Sequence, residues 1–152
     1  MKEVQSVWHT EGEQRPEAIL CGVIDQDHNA LETEKSLDEL ERLLDTAGGK
    51  AFARVVQNRP VFDPRTIIGS GKVEEIAALC SDHEIPLVIF DMELSPAQIR
   101  NLEDGIGNDV RVIDRSMLIL DIFALHAVTL EGKVQVELAQ LKYTAPRLIG
   151  KG

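Results

Sequence analysis

Four apolar runs of strand length, each followed by a polar or helix-patterned stretch, constrain this chain most. They are AILCGVI at 18–24, AFARVVQ at 51–57, PLVIF at 86–90 and VRVI at 110–113. The third run is apolar at every position, so both of its faces are buried, as in a central parallel strand. Between the runs, leucines recur at helical spacing. Ser36-Leu37-Asp38-Glu39 has the form of a capping box, Leu37, Leu40, Leu43 and Leu44 make one stripe, and Gly48-Gly49 ends it. The loop at 58–65 holds Pro60 and Pro64 and is irregular. A helix over about 72–82 buries Val73, Ile76, Ala77 and Cys80. Ser95-Pro96 opens another that turns Ile99 and Leu102 inward and ends within 105–108.

After residue 114 the strand pattern stops. Residues 117–127 are apolar apart from Asp121 and His126, which reads as a mostly buried helix. A last helix begins near Glu131 or Lys133, with Val134, Leu138, Leu141 and Leu148 on one stripe. Strands alternating with helices imply a parallel sheet with right-handed crossovers. The expectation is an α/β fold: a small four-stranded parallel sheet with flanking helices, followed by a helical segment. Residues 1–16 form a loosely held lead-in, 17–114 the α/β unit and 115–152 the helical part.

At 152 residues a hydrophobic core needs no disulfide or metal staple. Aromatic residues are 4% of the chain, so that core is aliphatic. Cys21 and Cys80 lie in separate apolar stretches without a CxxC, as reduced core thiols of a cytosolic protein do. The N-terminus lacks the apolar run of a signal peptide, and no stretch approaches the ~20 apolar residues that span a bilayer. A cytoplasmic protein with no membrane contact is therefore expected. The net charge of −10 argues against wholesale nucleic-acid binding. Its distribution is uneven: residues 1–110 carry 10 basic and 22 acidic side chains, and residues 111–152 carry 6 and 4. A polyanion would meet the C-terminal end.

Candidate chemistry is sparse. Gly69-Ser70-Gly71-Lys72 suggests a phosphate-binding loop, but a P-loop has glycine where Thr66 stands and a hydroxyl residue where Val73 stands. The turn either holds an anion on its backbone amides or is a tight entry into a helix. Asp91 and Asp114 each follow a strand, where ligands of parallel sheets bind. They hold a metal or ribose, or they cap helices and pair with Arg115 or Arg111. Asp121, inside an apolar helix, needs a partner. None of His9, His28, His83 and His126 has ligand spacing to a cysteine or to another histidine, so no metal site is expected. No catalytic residues are assigned.

Longer blocks carry a resemblance. TIIGSGKVEEI (66–76), FDMELSPAQIRNLE (90–103), VIDRSMLILDIFALHAVTLEGKVQVELAQLKY (112–143) and PRLIGKG (146–152) resemble the HflX family of ribosome-associated GTPases, from about residue 18 to the end. Two places depart from the family pattern. Ser116-Met117 stands where Thr-Gly is more common, and Thr144-Ala145 where two leucines are common. The resemblance implies an N-terminal α/β domain, then two long antiparallel helices, then a Ras-like GTPase domain. The loop between the long helices reaches the peptidyl transferase region of the large ribosomal subunit, and family members split or rescue stalled ribosomes under stress. Residues 150–152 would begin that loop. The second helix, the P-loop and the base-reading motif would lie downstream, so GTP and Mg2+ belong to the full-length protein and this stretch has no cofactor and no GTP hydrolysis of its own.

The implied partners are rRNA of the large subunit, through the helical part, and the protein's own GTPase domain. Lys133, Lys142, Arg147 and Lys151 would approach rRNA phosphates; otherwise they are a solvated helix face. The alternative function is ATP binding or hydrolysis by the α/β unit through Gly69, Ser70, Gly71 and Lys72. The stripe of the last helix is expected to be incompletely covered. It would fray beyond Tyr143, where Pro146 weakens the helix, or pack on the α/β unit, or pair with another copy.

Overall fold

The computed structural model describes Trp8, residues 15–127 and residues 130–148, with side chains of the last helix described for 134–146. Nine elements follow in order: β1 (Glu17–Ile24), α1 (Ala30–Ala47), β2 (Lys50–Asn58), α2 (Ser70–His83), β3 (Leu87–Phe90), α3 (Pro96–Ile106), β4 (Arg111–Asp114), α4 (Arg115–His126) and α5 (Leu130–Leu148). The four strands form one sheet in the order β2-β1-β3-β4. All three pairings are parallel, as the alternation of strands and helices predicts. The apolar runs have a simple cause: β1 and β3 are the inner strands, and Ile19, Leu20, Val88, Ile89 and Phe90 are fully buried between helix layers.

The outer strand β2 is less regular. Ala18 faces Ala51 but Ile19 faces Ala53, so Phe52 is an extra residue in the ladder. Its ring lies 4.6 Å from that of His83 at the end of α2. The core is aliphatic, as the composition requires. Leu37, Leu40 and Leu44 of α1 are fully buried, each contributing about 1.5–3 kcal/mol.

Two helix boundaries depend on tertiary partners. First, α1 does not start at Ser36. It starts at Ala30, capped by Asn29, whose side chain accepts the Glu32 amide at 2.8 Å. Thr33 extends the buried stripe one turn ahead of Leu37, so the polar stretch before Ser36 is helix, not loop. Ser36 is used in another way: its carbonyl and hydroxyl both accept from the Arg115 guanidinium. Second, of the three courses open to α5, fraying beyond Tyr143, packing on the α/β unit or pairing with another copy, the helix takes the packed one. It runs to Leu148 with Pro146 inside it, and contacts with α3 and α4 support it.

The remaining caps match their residues. Ser95 and Gln98 form a reciprocal capping box with Pro96 at the first turn of α3. Gly48 ends α1 at φ 96°, a left-handed geometry that favours glycine. Cys21 and Cys80 are free and buried. No described helix is long and apolar enough to cross a membrane.

Candidate functional site

Residues after β4 are mounted on the sheet by two buried carboxylates. Asp114, the last residue of β4, is fully buried, and its carboxylate accepts hydrogen bonds from Met117, Leu94 and Tyr143. Its Oδ1 accepts the Met117 amide at 2.9 Å, which makes it the N-cap of α4. Its Oδ2 accepts the Leu94 amide at 3.0 Å and the Tyr143 hydroxyl of α5 at 2.5 Å. Those bonds occupy the carboxylate as a cap and a clasp, the structural alternative of the two that its position after a strand left open.

Asp121 of α4 is also fully buried. Its Oδ2 accepts Trp8 Nε1 at 2.8 Å and meets Arg111 Nη1 at 3.4 Å, and its Oδ1 accepts Gln140 Nε2 of α5 at 3.0 Å. Burial pushes the Asp121 carboxyl above its ordinary range, opposed by the Arg111 charge and by these hydrogen bonds. Burial likewise lowers Arg111, opposed by Asp121. The pair is held by geometry rather than by solvation.

Helix α5 therefore docks by an unusual face. Gln140 and Thr144 are buried and Tyr143 packs against the core. The apolar stripe is turned out: Val134 is 52% exposed, Leu138 51% and Leu141 59%. Lys142 is exposed beside them. The side chains of Lys133, Arg147 and Leu148 lie outside the described residues, as does Lys151.

At the carboxyl ends of β1 and β3, where the strand order reverses, the sheet leaves a cavity of about 120 Å³ lined by Val23, Asp25, Ser36, Phe62, Asp91 and Met92. Its carboxylates are engaged. Arg115 Nε donates to Asp91 at 2.9 Å and Arg115 Nη1 to Glu39 at 3.0 Å, which ties α1, β3 and α4 together. Asp25 accepts the amides of Asp27 and His28 and pairs with the His28 ring at 3.0 Å. The hydrogen bond to Asp25 raises His28. Among the described residues no group of His, Cys, Asp or Glu is arranged to hold a metal ion.

The Gly69-Ser70-Gly71-Lys72 turn does open a helix, α2. The Gly69 amide donates to Gln57 Oε1 at 2.9 Å, and Lys72 Nζ pairs with Glu75 at 2.9 Å. A β-carbon at Gly69 would collide with the Arg59 guanidinium, which lies over the turn. A cleft of about 490 Å³ lies alongside, lined by Arg59, Arg65, Thr66, Gly69, Ser70 and Asn101 among others.

Sequence reasoning missed Trp8, which is only 9% exposed. It missed Gln140 and Thr144 as well. A lone aromatic in a polar lead-in carries no periodicity, and polar residues on a helix read as solvated. One signal was present: Asp121 needed donors, and Trp and Gln side chains can supply them.

Comparison with known proteins gives the family. The family described as GTP-binding GTPase N-terminal matches residues 34–124, and the GTP-binding GTPase Middle Region matches residues 126–152. A protein named GTPase HflX from Lacrimispora saccharolytica is 54% identical over 115 residues, covering 76% of this chain and 27% of its own length. GTPase HflX of Escherichia coli K12 is 47% identical over 115 residues, with 76% and 26% covered. The chain thus spans about a quarter to a third of the curated relatives it matches. Among solved structures, a GTP-binding protein from the archaeon Sulfolobus solfataricus in complex with GDP superposes with TM-score 0.68 at 27% identity, over 88% of this chain and 38% of that one. With its parallel sheet, its helical continuation and these matches, the chain belongs to the HflX family of GTPases, matching the family's N-terminal domain and, over residues 126–152, its middle region.

Proposed function

We propose that this chain is the ribosome-docking part of an HflX-type GTP-binding protein that acts on the large subunit, splitting or rescuing ribosomes under stress in the cytoplasm. In this reading residues 17–114 are a mount and residues 115–152 an arm, with α5 carrying the protein toward rRNA. Lys133, Lys142, Arg147 and Lys151 supply phosphate contacts. GTP and Mg2+ are bound by the GTPase domain of the full-length protein, which is the arm's other partner.

One observation carries the reading. Helix α5 is clamped through its polar face while its apolar stripe and Lys142 point outward. A helix buried only for its own stability would face the other way, because apolar contact is what normally docks a helix. The stripe suits the second long helix of the family's hairpin, and the excess of positive charge after residue 110 suits rRNA.

The test is co-sedimentation with large ribosomal subunits at two salt concentrations. The chain is expected to pellet with the subunit at low salt and to be released as salt rises. Reversing Lys133 and Lys142 to glutamate should weaken pelleting at least tenfold. Binding that ignores both salt and the reversals would overturn the rRNA contact.

A second reading has one observation in its favour, the cleft beside Gly69 and Ser70 with Arg59 and Arg65 in its wall. There the α/β unit would bind ATP phosphates at the start of α2. The ligand would have to displace Gln57 from the Gly69 amide and Glu75 from Lys72. Calorimetric titration with Mg-ATP checks it, with Lys72→Ala expected to weaken any binding at least tenfold, about 1.4 kcal/mol.

A further inference from the structure

Asp121 receives one donor from each of three separate places: Trp8 ahead of the sheet, Arg111 in β4 and Gln140 in α5. We propose that this shared carboxylate couples Trp8 to α5, so that the seating of Trp8 sets how firmly the last helix is held. Burying a carboxylate is costly, and the cost is offset only when its donors are in place. Bonds to one buried acceptor are interdependent, because loss of one donor leaves the charge less well compensated and alters its hold on the others.

The seat for Trp8 is specific. A β-carbon at Gly49 would stand 2.4 Å from Leu44 Cδ1 and 3.0 Å from the indole ring, so glycine there leaves room for the ring and the leucine side by side. The other end of the relay is weakly backed. The hydrophobic residues Val134, Leu138 and Leu141 are each at least half exposed, and the described hydrogen bonds that tie α5 to the rest of the fold are two: Gln140 to Asp121 and Tyr143 to Asp114. A helix held by a few polar clasps responds to the state of each one. A helix held by an apolar seam does not. Burial already pushes Asp121 toward its neutral form, so withdrawal of the indole N–H would take it further in that direction.

Trp8 is the chain's one tryptophan, so its fluorescence reads its own seat. The experiment uses the full 152-residue chain. In Gln140→Ala, Trp8 emission is expected to shift to the red and its quenching by acrylamide to rise. In Trp8→Phe, which keeps an apolar ring but removes the N–H, amide exchange over 134–146 is expected to accelerate at least tenfold while β1 and β3 stay protected. In Asp121→Asn both effects are expected in one chain. Unchanged exchange of α5 in Trp8→Phe, or unchanged emission in Gln140→Ala, would overturn the coupling. So would loss of protection across the sheet, since Asp121 would then hold the whole domain rather than one helix.

Discussion

At the scale of single residues, charge and reactivity here follow burial. Cys21 sits in β1 with its thiol pushed up to about 12 by burial, and burial pushes Cys80 up to about 11. Nucleophilic attack needs the thiolate. Iodoacetamide at pH 8 is therefore expected to leave both cysteines unmodified in the folded chain and to modify both in denaturant, as intact mass would read. Rapid labelling of Cys21 under native conditions would mean that the sheet opens. Asp91 and Asp114, where the sequence left ligand and structural roles open, are bound to Arg115 and to the start of α4. Their positions after strands were visible in the sequence. Arg115 and the helix cap were among the partners the sequence offered; Tyr143 was not, because it reaches Asp114 only after the chain has crossed over.

At the scale of elements, each helix separates the side chains that hold the fold from those that do not. In α1, Leu40 is fully buried and facing the sheet, so Leu40→Ala leaves a cavity and is expected to cost about 2–5 kcal/mol. In α5, Leu141 has the same side chain but is 59% exposed. Leu141→Ala is expected to stay within about 0.5 kcal/mol of the parent. Urea unfolding of the two variants gives the comparison directly. A loss at Leu141 approaching that at Leu40 would show that the stripe is covered in the isolated chain. Both leucines belong to regular stripes in the sequence. Periodicity identifies the apolar face of a helix but not the element it meets, and α5 met the domain through Gln140 and Thr144.

At the scale of the whole molecule, an acidic α/β unit carries a helical arm whose outer stripe has no cover among the described residues. Exposed apolar area of a few hundred Å² is enough to drive association. The weight-average mass in sedimentation equilibrium is expected to rise with concentration and to return to that of a monomer in Leu138→Lys. A parent chain that stays monomeric at every concentration would show that the stripe needs a different surface, such as the second helix of the full-length hairpin.

The sequence by itself determined the alternation of strands and helices, the parallel sheet, the aliphatic core, the caps at Ser95 and Gly48, and the family. Each of these rests on local periodicity, on turn chemistry or on long blocks that resemble the family. Only the tertiary structure decided the start of α1, the continuation of α5 through Pro146, the burial of Trp8 and the polar face by which α5 docks. Those features depend on partners far away in the chain: Trp8 and Asp121 are 113 residues apart, and Ser36 and Arg115 are 79 apart. A buried carboxylate chooses donors by where the folded chain brings them, and sequence spacing carries no record of that choice.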